Sequence, residues 1–238
     1  MPESLVLLHG FSGTRRAWDG VAQQLALQRY LPLALDLPGH GDAVAPQGPI
    51  GFDSCVAHVL AHGPARFALC GYSLGGRVAL HVALAAPERV TRLVLVSTSA
   101  GIEDPAERAE RRVTDRRLAD ELERMPFEQF IERWRTQPLF ADDPSRVDEL
   151  AREDQRRNDP SALAAVLRGI GTGEMTPLWQ RLGELTMPVT VVAGERDAKF
   201  RALGERMAGL IANAELVVVP GGHGLVLESP VELARLLD

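Results

Sequence analysis

The turn Gly71-Tyr72-Ser73-Leu74-Gly75 constrains this chain more than any other stretch, because it lies between an apolar run, Phe67 to Cys70, and a helical one, Leu74 to Ala85. Glycines flanking a serine allow the sharp strand-to-helix reversal that lifts a hydroxyl above a sheet. The amide of Leu74 then sits at the helix start, aimed where negative charge would develop. The pattern makes Ser73 the candidate nucleophile or base.

A serine of this kind needs a base and an acid, each placed just after a strand. Pro188 to Ala193 reads as a buried strand and is followed by Gly194-Glu195-Arg196-Asp197; Leu216 to Val219 reads as another and is followed by Pro220-Gly221-Gly222-His223-Gly224. Asp197 would hold one nitrogen of His223 and fix its tautomer, leaving the other to take the proton of Ser73. The amide of Phe11, in the loop after the first expected strand, is the second expected oxyanion donor beside that of Leu74.

Other titratable residues read as structural. His9 and His40 lie in tight loops, where an imidazole hydrogen-bonds backbone, and Asp36 precedes Ser73 beside the turn-forming Pro38-Gly39. His58 and His62 share a helix face at i and i+4, but no neighbouring cysteine or acid completes a metal set. Cys55 and Cys70 give no disulfide framework and read as reduced core thiols.

The rhythm along the chain is that of an α/β fold with a mainly parallel sheet flanked by helices, its strands near 5–8, 31–35, 66–70, 92–96, 188–193 and 215–219. Between Gly101 and about Met175 the rhythm stops. Pro105 to Glu123, Phe127 to Arg135, Arg146 to Arg156 and Ser161 to Arg168 read instead as charged amphipathic helices. The expected organisation is a core over 1–100 and 176–238 with a helical cap inserted over 101–175, lying across the edge that carries Ser73. The apolar stretches are too short to cross a bilayer, and the N-terminus has neither a basic flank nor a cleavage site, which points to the cytoplasm. A net charge of −6 disfavours nucleic acid, so an anionic ligand would need a local basic pocket.

Arg77 offers such a pocket. It falls four residues after Ser73, on the same helix face, and a guanidinium held there suits a carboxylate-bearing substrate better than a neutral ester. The expected cap adds Arg108, Arg111, Arg112, Arg116, Arg117, Arg156 and Arg157. Lys199 is the one lysine of the chain, so arginine is its usual cation, and most of these side chains read as solvated helix faces.

His9-Gly10-Phe11-Ser12-Gly13, Asp36-Leu37-Pro38-Gly39-His40-Gly41, Gly71 to Arg77 and Gly194 to Phe200 together resemble the 2-succinyl-6-hydroxy-2,4-cyclohexadiene-1-carboxylate synthases of menaquinone biosynthesis, members of the α/β-hydrolase superfamily. The likeness runs through Glu107 to Arg111, Trp134 to Phe140 and Leu167 to Gly173, which are more specific than the turn motifs common to the superfamily. The resemblance implies a lyase that removes a proton from a cyclohexene bearing an enolpyruvyl ether and expels pyruvate as a double bond forms. Ser73, activated by His223 and Asp197, would be the base, with the Phe11 and Leu74 amides stabilising an enolate. The family substrate carries three carboxylates, and the resemblance assigns its binding to Tyr72, Arg77, Arg111, Trp134 and Arg156, with Arg157 an equal candidate for the last place. No metal, organic cofactor or obligate protein partner is implied. The leading antiparallel strands of many superfamily members are expected to be absent. An esterase or carbon–carbon bond hydrolase shares the fold and the three site residues, and a ligand binder on the same fold is a further alternative, though it would have no need of all three.

Overall fold

The computed structural model describes residues 2–43 and 48–237; Met1, 44–47 and Asp238, which fall within the expected core, lie outside the described residues. Six strands form one sheet in the order β2-β1-β3-β4-β5-β6, with every pairing parallel. They are β1 (Glu3–Leu8), β2 (Tyr30–Leu35), β3 (Phe67–Tyr72), β4 (Val90–Val96), β5 (Val189–Gly194) and β6 (Ala214–Val219). All six expected strands are present within a few residues of their expected bounds, and no antiparallel strand occurs among the described residues.

The sheet is buried on both sides because its strands alternate between two apolar sets. Leu5, Leu7, Ala68, Cys70, Val94 and Val96 face α1 (Asp19–Ala22), α9 (Leu225–Glu228) and α10 (Pro230–Leu237), with Trp18, Val21, Leu233 and Leu237 completing that layer. Val6, Leu8, Leu69, Leu93, Leu95 and Val191 face α2 (Phe52–His62), α3 (Leu74–Ala85) and α8 (Ala198–Leu210), where Cys55, Val59, Val78, Leu80, Val82 and Met207 pack. Both cysteines are free and buried.

The register brings the strand ends level. Leu8 pairs with Gly71, Tyr72 with Val96, Val96 with Val192, and Gly194 with Val219. The loops carrying Phe11, Ser73, Asp197 and His223 therefore emerge along one edge. The chain also reverses direction across the sheet between β1 and β3, the position at which open parallel sheets bind ligands.

Between β4 and β5 the described residues contain only helices: α4 (Pro105–Arg124), α5 (Phe127–Arg135), α6 (Ser145–Gln155), α7 (Pro160–Ile170) and short 3-10 turns. Asp104 caps α4 by accepting from the amides of Ala106 and Glu107, and Asp159 caps α7. Helices α4 and α7 pack through Ala119, Leu122, Leu163, Ala164 and Leu167, a small core separate from the two that flank the sheet.

Candidate active site

Ser73 sits at φ 52°, a conformation in which few residues other than glycine are found. The strain is held in place locally: the Ser73 amide donates to Val96 O at 2.9 Å, and the Thr98 hydroxyl donates to Ser73 O at 2.7 Å. The turn is tight enough that a Cβ on Gly71 would lie 2.3 Å from Gly75 O, and one on Gly75 would lie 2.3 Å from Leu8 O. Only glycine at both places lets α3 start this close to β1 and β3.

His223 Nδ1 lies 2.8 Å from Asp197 Oδ2, and His223 Nε2 lies 3.2 Å from Ser73 Oγ. A carboxylate accepts from Nδ1–H, so Nε2 is left with its lone pair toward the serine hydroxyl. Asp197 is 7% exposed and also accepts from the Phe200 amide, while His223 is 2% exposed. The histidine loop is braced by Glu228, which accepts from the Gly222 amide at 2.7 Å, and by Ser229, whose hydroxyl donates to Pro220 O. Rings of Tyr72, Phe140 and Phe200 surround the imidazole at centroid distances of 5.5, 6.1 and 4.5 Å.

These groups open on a cavity of about 900 Å³ whose walls include Phe11, Tyr72, Ser73, Arg77, Arg111, Trp134 and His223. Neither the Phe11 nor the Leu74 amide makes a hydrogen bond to protein among the described residues. Trp134 packs edge-on to Phe11, with ring centroids 5.0 Å apart. Burial raises the pKa of the Tyr72 phenol, so it stays protonated.

Arg77 is 9% exposed, donates through Nη1 to Ile170 O at 2.9 Å, and has no carboxylate ion-pair partner among the described residues. Burial, with the nearby Arg111 charge, lowers its pKa to about 10, which still leaves a cation at neutral pH. Arg111 bonds Asp115 at 2.7 Å, and the buried Asp115 also accepts from the Gly173 amide. Arg112 and Arg116 both reach Glu174, as parts of the solvated charge of α4.

The structure places the last of the expected substrate residues elsewhere. Arg156 does not line the cavity; its guanidinium makes two bonds to Glu128, at 2.8 and 3.0 Å, on the exposed side of α5 and α6. Arg157 is likewise exposed, on Glu153. Both fall where α6 ends, and the face that turns inward there carries Asp154, Gln155 and Asn158 instead. Phe140 and Phe200, which no motif marks as site residues, both lie in segments that resemble the synthases, Trp134 to Phe140 and Gly194 to Phe200, and of these the first is the more specific. Arg135 and Asp143, a buried pair at 2.5 Å beside the histidine loop, carry no signal that separates them from the other charges of the insertion.

Of the residues read as structural, His9 and Asp36 bond backbone as expected, whereas both ring nitrogens of the buried His40 lack a hydrogen-bond partner among the described residues and its ring instead packs edge-on to His9 at 4.8 Å. His9 Nε2 accepts from the Leu37 amide at 3.0 Å, and the buried Asp36 accepts from the Arg15 and Asp42 amides and the Arg15 guanidinium. His58 and His62 stack 4.2 Å apart on α2, and no group of three or more potential metal ligands occurs among the described residues.

Residues 5–236 match the model of the alpha/beta hydrolase family. The 2-succinyl-6-hydroxy-2,4-cyclohexadiene-1-carboxylate synthase of Salmonella agona is 34% identical over 98% of this chain and 93% of its own length. The solved structure of MenH from S. aureus superposes with a TM-score of 0.92 at 33% identity, covering 99% of this chain and 91% of that one. A hydrolase from Pseudomonas aeruginosa follows the same fold at a TM-score of 0.81 and 28% identity, covering 99% and 88%. With its level strand ends, its strained Ser73 and this full-length likeness, the chain belongs to the alpha/beta hydrolase family and, within it, to the 2-succinyl-6-hydroxy-2,4-cyclohexadiene-1-carboxylate synthases, which are enzymes acting on small molecules.

Proposed function

We propose that the protein eliminates pyruvate from 2-succinyl-5-enolpyruvyl-6-hydroxy-3-cyclohexene-1-carboxylate, using Ser73, His223 and Asp197 as a proton-abstracting triad. The observation that carries this reading is Arg77: a buried cation with no carboxylate in ion-pair contact among the described residues, the nearby Asp115 being bonded to Arg111, one helical turn from Ser73 and on the wall of the same cavity. A buried charge is destabilising unless paired, so a site that retains one is built to receive an anion.

Ser73, its proton drawn toward His223 Nε2, removes the ring proton activated by the succinyl carbonyl. Charge then develops on that carbonyl oxygen, and the free amides of Phe11 and Leu74 are the donors available to hold it. Collapse of the enolate forms the ring double bond, breaks the carbon–oxygen bond to the enolpyruvyl group, and leaves the proton on His223 to be returned to the departing group. Asp197 supports the imidazolium in between. Water takes no part, which fits an imidazole enclosed by Tyr72, Phe140 and Phe200. Arg77 and Arg111 bind two carboxylates of the substrate, with Tyr72 and Trp134 packing against its body. Residues 101–175 act as a cap that selects the substrate, while the core over 1–100 and 176–238 carries the chemistry. No metal or organic cofactor enters the scheme. The two buried thiols and the lack of any described helix able to cross a membrane fit a cytoplasmic enzyme with small-molecule substrates alone.

The test is release of pyruvate from the enzymatically prepared substrate, followed together with diene absorbance. Equal amounts of pyruvate and diene are expected, and Ser73→Ala should slow both by about 10³-fold. Turnover of a neutral nitrophenyl ester through Ser73, with no pyruvate above background, would overturn the lyase and leave a hydrolase like the Pseudomonas aeruginosa neighbour.

A further inference from the structure

The donor assigned to Phe11 depends on one peptide plane. The Gly10 carbonyl and the Phe11 amide belong to the same trans peptide, so their directions are opposite and fixing one fixes the other. Gly10 O accepts from His9 Nδ1 at 2.8 Å and from the Gly13 amide at 3.2 Å. What holds Gly13 in place therefore aims Phe11 N–H.

That loop is held from the cap. Asp154 accepts from the Thr14 amide at 2.7 Å and from the Thr14 hydroxyl at 2.5 Å, and its Oδ2 lies 3.4 Å from where a Cβ on Gly13 would sit. Gln155 Nε2 donates to the Ser12 hydroxyl at 2.8 Å. Asn158 Nδ2 donates to Ser12 O at 2.8 Å, while its Oδ1 accepts from the Gly41 amide at 3.0 Å, tying together the loops after β1 and β2. All three side chains are at least nine-tenths buried, and all come from the last turn of α6 and the residues just after it. Between the residues they hold, Ser12 sits at φ 61°, which a serine keeps only when its surroundings overdetermine it.

We propose that Asp154, Gln155 and Asn158 are positioning residues that aim the Phe11 amide, so that the oxyanion hole is complete only while the end of α6 is docked on the loop after β1. This rests on the reading of Phe11 N–H as an oxyanion donor. It gives the cap a second task beside choosing the substrate: the segment that turns Arg156 outward turns Asp154 and Asn158 inward, onto the catalytic loop.

The experiment uses the full chain with Asp154→Asn, Asn158→Ala and the milder Gln155→Met, each checked for a native circular dichroism spectrum. Two rates are measured, elimination of pyruvate and phosphonylation of Ser73 by a neutral nitrophenyl alkylphosphonate, whose phosphoryl oxygen must enter the oxyanion hole. Asp154→Asn and Asn158→Ala are expected to lower kcat and the phosphonylation rate together by roughly ten- to a hundredfold, short of the loss when a donor is removed outright, with KM changed less than about twofold. Gln155→Met should lower both in the same ratio by a smaller factor, which covers the case in which the stronger variants do not fold. A rise in KM at constant kcat, or a phosphonylation rate equal to that of the unaltered protein, would overturn the proposal and make the cluster a simple anchor. If the unaltered protein is phosphonylated through Ser73 but releases no pyruvate, the lyase reading fails while the phosphonylation series still decides the positioning role. A protein no more reactive than Ser73→Ala would remove the oxyanion hole, and this proposal with it.

Discussion

The sheet core and the helical segment between β4 and β5, which we propose as its cap, hold their candidate site residues by different means. In the core, Ser73, His223 and Asp197 are fixed by backbone and by neutral or singly charged hydrogen bonds, with glycines at the closest approaches. In the cap, the same work falls to arginine–carboxylate pairs: Arg111 on Asp115, Arg112 on Glu174, Arg168 on Asp120 and Glu123, and Arg135 between Asp143 and Asp148. The difference follows from sequence. The core strands bury apolar faces on both sides and need no charge, whereas α4 has only Asp115, Ala119 and Leu122 buried over its length. A helix with so little apolar surface to remove from water relies on polar contacts beyond the small core it shares with α7.

If that contrast is right, the cap should be most vulnerable where its charge pairing is buried. Arg135 and Asp143 are 4% and 3% exposed in their side chains, and Arg135 also bonds Asp148 and lies over the Phe140 ring at 4.4 Å. Arg135→Met would leave the buried Asp143 without its counter-ion, although burial already pushes that carboxyl's pKa up with Arg135 in place. A loss of about 3 kcal/mol is expected in urea unfolding, by analogy with buried pairs cut on one side. Limited proteolysis within the cap should quicken as well, because the pair joins α5 to the turn that packs on the histidine loop. Unfolding unchanged to within a few tenths of a kcal/mol would put Arg135 among the ordinary surface charges of the cap.

Arg77 is the core's departure from its own rule and sharpens the comparison from the other side. Arg77→Met should lower kcat/KM by about ten- to a hundredfold, the loss of a charge-assisted contact to a carboxylate. It should leave stability equal or higher, since a buried cation outside ion-pair contact is replaced by a side chain that fills similar space. Arg77→Lys should recover little, lacking the planar fork. Loss of stability alongside activity would mean that its bond to Ile170 O is structural rather than a by-product of a binding role.

The core also carries histidines whose pKa values burial depresses: His9, and His40 well below the usual range. Between the depressed folded value and the ordinary value of 6.5, the unfolded chain binds more protons than the folded one, so stability rises with pH there and is lost as pH falls below about 6.5. Each such histidine can contribute a slope of at most about 1.4 kcal/mol per pH unit. The urea midpoint should therefore fall between pH 7.5 and 5.5, and replacing His40 by glutamine should flatten that fall. A midpoint flat across this range would show that neither imidazole is held neutral.

Legibility divides along the same line. The strands, the elbow and the order of Ser73, Asp197 and His223 are readable because each depends on local patterning and on glycines that only one geometry requires. The four helices of the cap are readable by periodicity for the same reason. What lies beyond the sequence is which way a charge turns. Arg77 could be placed by counting one turn from Ser73, but Arg156 and Arg157 fall where α6 ends, and a rotation of one position exchanges a buried side chain for an exposed one. The inward face there went to Asp154, Gln155 and Asn158, polar residues with no motif to mark them, and their partners lie about 140 residues away in the chain.

The smallest expected effect is the one that discriminates best between those two faces. Arg156 is half-exposed and bonded to a Glu128 that is itself largely in solvent. Exposed pairs of this kind contribute at most about 1 kcal/mol, so Arg156→Ala should change stability little and kcat/KM by less than about twofold. Arg111→Ala, on the cavity wall, should lower kcat/KM by roughly tenfold through KM, because it removes a contact shared by ground and transition states. Measured side by side, the two variants separate arginines that meet the substrate from arginines that only keep the cap's surface neutralised. Should Arg156→Ala prove as damaging as Arg111→Ala, its pair with Glu128 must open when substrate binds. The end of α6 would then turn toward the cavity, and Asp154 and Asn158, on the opposite face of that turn, would have to move with it.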